Sequence, residues 1–264
     1  MHNTNPVSLW NDSAVKLKHW VSADNYFEQF VKKLRIKPEW TVLDVGCGPG
    51  DISMWAARRV RHVTALDHAD KMLDLLKEDS AKENLSNISC IQGIWDNELA
   101  AEIDAHDVVI ASRSIGTMNN KKVALSRIVR CARQYAYITI GCKVKTPVTQ
   151  SIDRIIGKKP DRSPGFLFAY NHLYRLGIRA NVEFMHGRNW FVDLNDAFER
   201  CCWRSGELTP LQKRNVLEIL DRTMVKSKDG TLSFPYNDLC WALIWWQNQG
   251  TDSYIRRKDH RPKI

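Results

Sequence analysis

The chain has 264 residues, 44% of them hydrophobic and 26% charged. That length suits one large domain or one domain with an insert, and the composition excludes a disordered chain, a collagen-like chain and a disulfide-stapled miniprotein. Lys and Arg outnumber Asp and Glu by 39 to 30, a net charge of +9, beside ten tryptophans; this pairing raises nucleic acid as a partner to be tested.

In chain order, residues 8–36 carry apolar side chains at helical spacing (Val15, Leu17, Trp20, then Tyr26, Phe27, Phe30, Val31, Leu34), which predicts two helices closed by Pro38. Thr41–Val45 is a short apolar run that predicts a buried strand. Gly46-Cys47-Gly48-Pro49-Gly50 follows, then a helix from Asp51 to Arg59. Val63–Asp67 predicts a second strand, Lys71–Glu83 an amphipathic helix, Ile88–Gln92 a third strand and Glu98–Ile103 a short helix. Asp107–Ala111, Lys122–Cys131 and Tyr135–Ile140 predict strand, helix and strand. Strands alternating with helices imply a parallel sheet covered on both faces. Residues 143–163, with Gly157, Pro160, Pro164 and Gly165, predict a basic loop, and Phe168–Leu176 a helix ended by Gly177. Asn181–Met185 and Trp241–Trp246 predict the last two strands. Between them lies a helical insert of about fifty residues, long enough to form a lid or substrate region.

The charge is concentrated. Residues 143–163 carry net +4 and residues 251–264 net +3, leaving +2 for the rest. The tail has no apolar periodicity and is expected to be a poorly ordered, solvated end. No apolar run reaches the ~18–20 residues that span a bilayer, so no membrane partner is expected. Met1–Pro6 lacks the basic-then-apolar pattern of a secretory leader, which predicts a cytoplasmic location. The seven cysteines contain no C-x-x-C pair and read as reduced, mostly buried thiols. No metal is expected.

The segment richest in chemistry is Leu43-Asp44-Val45-Gly46-Cys47-Gly48-Pro49-Gly50. Glycines between a strand and a helix let the backbone approach a ligand and offer it helix N-terminal amides. The spacing is G-x-G-x-G, with Asp51 next, whereas the dinucleotide fingerprint is G-x-G-x-x-G; the Gly-Lys-Ser/Thr of a P-loop is missing. Asp44, two residues before the first glycine, suits a cationic ligand. Asp67 closes the second strand, where a carboxylate can accept both ribose hydroxyls.

Val42–Ser53, with Thr64-Ala65-Leu66-Asp67 and Asp107–Ser112, resembles a class I S-adenosylmethionine-dependent methyltransferase, closely over residues 40–142 and loosely to the end. The resemblance implies a Rossmann-like, seven-stranded, mostly parallel α/β sheet with helices on both faces, an N-terminal helical cap and a helical insert before the last strand. It implies S-adenosylmethionine as cofactor. Gly46, Cys47, Gly48 and Gly50 would line its methionine and ribose, Asp44 would lie near the amino group and Asp67 would hold the ribose. His68, Ile94 and Trp95 would flank the adenine, and Ala111 and Ser112 would meet the methionine end. The family often has Asp where this chain has Ile94, so either Asp96 substitutes or the adenine stacks on Trp95. The division expected is a cap over 1–39, a cofactor core over 40–142, remaining strands with the acceptor region over 143–250 and the tail over 251–264.

The chain lacks the Asn/Asp-Pro-Pro-Tyr/Phe of base amino-methylases and the Pro-Cys of pyrimidine C5 chemistry. The expected reaction is in-line methyl transfer to a small molecule, in which the protein aligns and dehydrates the reactants. Any base would come from the accessory part, from Tyr170 or His172 first and His186 beside them, with His19, Tyr26, Arg113, Asn171 and Trp190 as further acceptor contacts. Arg113 can grip a carboxylate or phosphate. The rival readings are an RNA- or ribosome-directed methyltransferase, gripping nucleic acid through residues 143–163 and the tail, and a non-catalytic cofactor-binding module. The glycine spacing argues against an NAD enzyme.

Overall fold

The computed structural model describes residues 7–21, 23–97, 102–142, 146–158, 165–203 and 205–248. The basic tail, residues 143–145 and 159–164, and most of the helix expected over Glu98–Ile103 lie outside the described residues. The chain opens with α1 (Val7–Val21) and α2 (Tyr26–Val31), then alternates β1 (Thr41–Val45), α3 (Asp51–Ala57), β2 (His62–Asp67), α4 (Asp70–Lys82), β3 (Ile88–Gln92), β4 (His106–Ser112), α5 (Lys121–Cys131) and β5 (Ala132–Gly141). There follow α6 (Pro147–Ile155), α7 (Phe166–Arg175), β6 (Asn181–Gly187), α8 (Leu194–Cys201), α9 (Pro210–Thr223), the short strands β7 (Val225–Lys226) and β8 (Leu232–Ser233), and β9 (Leu239–Gln247).

Seven strands form one sheet in the order β3-β2-β1-β4-β5-β9-β6. β1 to β5 are parallel, while β9 runs antiparallel between β5 and β6. The strand order reverses between β1 and β4, and that reversal opens a crevice at the carboxyl ends of both strands.

The wholly apolar centre of each strand follows from burial on two faces. One face packs Leu43, Val45, Val109, Ala111 and Ile138 against Leu125 and Ile128 of α5 and Leu173 of α7. The other packs Val42, Val108, Ile110 and Tyr137 against Phe30 of α2 and Ala56 of α3. A separate core joins Val148 and Ile152 of α6 to Phe191, Ala197 of α8, Val216 and Leu220 of α9, and Phe234.

That third core corrects one expectation. Part of the stretch 143–163 is not a loop but α6. Thr146 caps it, its hydroxyl accepting from Thr149 N and the Thr149 hydroxyl accepting in return, with Pro147 in the first turn. Val148 and Ile152, one turn apart, dock the helix onto the insert. The β7–β8 pair inside the insert carries too few residues to show a periodic pattern.

Candidate functional site: a cleft over the glycine loop

Gly46, Gly48 and Gly50 have φ of 70°, 56° and 95°, a region that favours glycine. Their surroundings differ. A Cβ on Gly46 would sit 2.5 Å from Ser114 Cβ, and one on Gly50 would run into the Leu76 side chain, whereas one on Gly48 would meet open space. So Gly46 and Gly50 seat the loop against its neighbours, and Gly48 leaves the floor of the cleft bare. The amides of Gly46 and Cys47 donate to Leu66 O at 2.7 and 3.0 Å, which pins the loop to β2.

Two carboxylates flank this loop. Asp44 is 1% exposed, and its Oδ2 accepts from Ser53 Oγ at 2.7 Å. Burial pushes its carboxyl up to about 7, against the Ser53 hydrogen bond and helped by the charge of Asp67. Asp67 accepts from Gly48 N through Oδ2 and from Ala69 N through Oδ1, both at 2.9 Å. These two amides aim the carboxylate across the loop and leave each oxygen a further lone pair for a hydroxyl. His68 Nδ1 lies 3.3 Å from Asp67 Oδ1. Burial also pushes the Cys47 thiol well up, so it is an inert wall group.

Above the loop is a cleft of about 710 Å3. Its near half is lined by Asp44, Gly46, Cys47, Gly48, Asp67, His68, Ile94, Trp95, Asp96, Ser112 and Ser114. Gly50 and Ala111 lie behind this wall, Gly50 against Leu76 and Ala111 wholly buried in the sheet. Trp95 is 2% exposed, belongs to the α5 core, and donates Nε1–H to Ala124 O at 3.0 Å. Its ring is committed to packing, and the exposed neighbour on the wall is Ile94. Asp96 Oδ2 accepts from Asn120 N at 2.5 Å.

The far half is built by α1, the turn before α2, the insert and the start of β9. Trp20 and Trp203 meet edge to face at 5.7 Å, and Trp203 meets Trp10 at 5.6 Å, so α1 and the insert close over the cleft together. Lys16 bonds Glu199 at 2.8 Å across the same seam. Phe191, Phe234, Tyr26 and Trp241 add further rings. The polar groups there form two clusters. Asp24 pairs with Arg113 at 3.2 Å, Asn189 donates to Asp238 through its backbone and side-chain nitrogens at 2.9 and 2.7 Å, and Arg200 donates to Asn189 Oδ1 and Trp190 O. Burial raises the carboxyls of Asp51 and Asp238.

Of the acceptor candidates drawn from the sequence, Tyr26 and Arg113 lie on the cleft wall. Tyr170, Asn171 and His172 do not: they ride on α7, which packs on α5, where His172 Nε2 is 3.2 Å from Ser126 Oγ. Burial lowers the His172 imidazole. The reason is the apolar stripe Ala169 and Leu173, which docks α7 on the sheet face opposite α2 and α3. His19 is an exposed residue of α1, and Trp190 stands off the wall, its carbonyl accepting from Arg200 and its amide donating to Ala23 O at 3.0 Å. Sequence reading missed Trp203, Asn189, Phe191, Arg200, Phe234 and Asp238. They carry no motif, and only the folding of the insert brings them together. Among the described residues, no cluster of three or more His, Cys, Asp or Glu could hold a metal, and no helix is long and apolar enough to cross a membrane.

This sheet order, with its antiparallel last strand, glycine loop and acid-tipped second strand, defines the Rossmann-like fold of class I methyltransferases. Residues 42–134 match the family model of a methyltransferase domain. An uncharacterized protein of Haemophilus influenzae is 25% identical over 93% of this chain and 91% of its own length. A probable cobalt-precorrin-6B C(15)-methyltransferase (decarboxylating) of Methanocaldococcus jannaschii is 35% identical over 24% of this chain and 34% of its own. An (S)-coclaurine N-methyltransferase of Thalictrum flavum is 27% identical over 38% of this chain and 28% of its own. The chain thus spans about a third of each of these two named relatives. Among solved structures, a putative methyltransferase of Bacillus halodurans aligns with a TM-score of 0.60 at 14% identity, over 84% of this chain and 98% of that one. Residues 42–134 thus carry a methyltransferase domain, set in the Rossmann-like fold of class I methyltransferases.

Proposed function

We propose that the chain methylates a small molecule held in the far half of the cleft. The observation that carries this reading is the chemistry of the wall. Among the described residues it presents six aspartates, two arginines, one histidine and no lysine, beside many aromatic rings. A nucleic-acid backbone needs cations along its path. Two arginines without a lysine do not make such a path, and of the described residues of the segment 143–163 only the uncharged Thr149 reaches the wall. A ring-lined cleft with a few polar groups suits a small ligand.

The residues fit the cofactor. Asp44 is a buried acid with one hydroxyl partner, so it is poised to take an ammonium. Gly48 offers bare floor, Asp67 is set for the ribose, and His68 and Ile94 stand where the adenine would lie. Ser112 is set for the methionine end. Gly50 and Ala111 act by shaping the loop and sheet behind these contacts, and Gly46 and Trp95 complete the wall between them. When bound, S-adenosylmethionine supplies a methyl already activated on a sulfonium. The protein's share is to align the acceptor, exclude water under the α1–insert roof, and take a proton where the acceptor must shed one. Asp51 and Asp238, whose carboxyls are raised inside the cleft, take over the base role first given to Tyr170 and His172. The chain works in the cytoplasm, with 1–39 as cap, 40–142 as cofactor core, 143–250 as acceptor region and 251–264 as an accessory tail.

The experiment is methyl transfer from labelled S-adenosylmethionine into fractionated extract. Label should enter the small-molecule fraction. Label in RNA or protein would reject the reading, and cofactor binding without any transfer would leave a binding module.

A further inference from the structure

Among the described residues only Asn84 and Arg113 combine a positive φ with a side chain. Asn84 follows α4, where asparagine commonly ends a helix. Arg113, at φ 57°, directly follows β4 on the wall of the cleft and has no such excuse. Glycine would adopt that backbone without strain. The strain is held in place by neighbours from four segments. Thr139 Oγ1 accepts from Arg113 N at 2.9 Å, and Tyr26 OH lies 2.6 Å from both Thr139 Oγ1 and Ser112 Oγ. The guanidinium rests 4.3 Å from the Tyr26 ring centre and 5.7 Å from that of Trp241. Asp24 Oδ2 accepts from Nη1 at 3.2 Å, and Asp24 Oδ1 is itself held by Tyr26 N at 2.8 Å.

A simple ion pair needs none of this. Asp24 engages one N–H of a fork that carries five. The rest of the fork stands in a ring-lined cleft, where a planar donor pair matches a carboxylate bidentately. Strain kept at a ligand cleft by an over-determined network is a mark of pre-organisation.

We propose that Arg113 is the carboxylate fork of this cleft, gripping a carboxylate carried by the acceptor or by the methionine end of the cofactor. This rests on the methyltransferase reading of the cleft. Tyr26, Trp241 and Asp24 are its positioning residues: they fix the guanidinium plane and leave one edge open.

Calorimetry on the full chain tests it with two cofactor probes. S-adenosylhomocysteine carries the amino-carboxylate, and 5′-methylthioadenosine lacks it. Benzoate, titrated into the S-adenosylhomocysteine-loaded protein, probes the acceptor half, with benzylamine as the charge-reversed control. Arg113→Gln is compared with Arg113→Lys, which keeps a cation beside Asp24 and guards against unfolding. If the cofactor supplies the carboxylate, Arg113→Gln weakens S-adenosylhomocysteine about tenfold or more and leaves 5′-methylthioadenosine unchanged. If the acceptor supplies it, both cofactor affinities hold, and wild type binds benzoate but not benzylamine while Arg113→Gln binds neither. In either case Arg113→Lys recovers only part of the loss. Equal weakening of both cofactor probes, or no change with any probe, would overturn the fork. Wild-type protein that binds neither cofactor probe would sink the methyltransferase reading and the fork with it.

Discussion

Asp44 makes the pH dependence of cofactor binding a sharp test. Its carboxyl is buried, bonded to Ser53 alone, and raised to about 7. The proposed partner, the ammonium of the cofactor's methionine, needs the ionised form. Below pH 7 binding must first expel a proton, so affinity should rise with pH through the neutral range. With a pKa near 7, about a tenth of the free protein is ionised at pH 6 and about nine-tenths at pH 8, which makes binding ~10-fold weaker at pH 6. Calorimetry with S-adenosylhomocysteine at both pH values measures this directly. Asp44→Asn keeps the shape and removes the titration, so its affinity should be flat over the same range and lower than wild type at pH 8. Stability carries the opposite sign. Because the folded carboxyl is raised above its unfolded value of 3.8, the folded state holds a proton that the unfolded chain has lost between those values. The ligand-free protein therefore loses stability as pH rises through that window, and Asp44→Asn should raise its melting temperature at pH 8. A flat wild-type affinity, or the same slope in the variant, would refute the argument.

Asp67→Ala should weaken S-adenosylhomocysteine at least ~10-fold, the loss of one or two charge-assisted hydrogen bonds, with calorimetry as the check. Gly50→Ala should fail to fold or melt far lower, because its Cβ meets Leu76, while Gly48→Ala should lose only ~1 kcal/mol of stability but bind the cofactor more weakly; thermal melts and calorimetry separate the two. Trp95→Phe should cost ~1 kcal/mol or more through the lost bond to Ala124 O and leave cofactor affinity within about twofold, since the ring sits in the core. Tyr170→Phe and His172→Ala should leave kcat/KM unchanged once an acceptor is known; a large loss would restore α7 to the reaction.

The parallel core was legible because its signals are local. Five short apolar strands, each followed by a polar turn or glycines, have one economical packing, and Asp44, the glycines and Asp67 fall at strand ends whatever surrounds them. The roles within that set were not legible. Gly46, Gly48 and Gly50 look alike in sequence, yet Ser114 and Leu76 reach the first and last from elsewhere in the chain and leave only the middle one on the open floor. Trp95 stood at a plausible stacking position, but the carbonyl of Ala124, 29 residues on, claims its indole. α6 was hidden by the charge around it, although the Thr146-Pro147 start and the Val148–Ile152 pair were readable signals.

The opening oddity, a basic and tryptophan-rich chain, divides along the same line. Sequence alone determined the sheet, the cofactor loop and the position of the excess charge, because strand burial and glycine conformation are properties of neighbouring residues. The tertiary structure decided what the tryptophans and acids do. Trp10, Trp20 and Trp203 meet only when α1 and the insert close over the cleft, and six aspartates gather along the cleft of a cationic chain only because β1, β2, α3, the turn before α2, the loop after β3 and the insert converge there. Those contacts join residues that lie far apart along the chain, and no local pattern records which of them will touch.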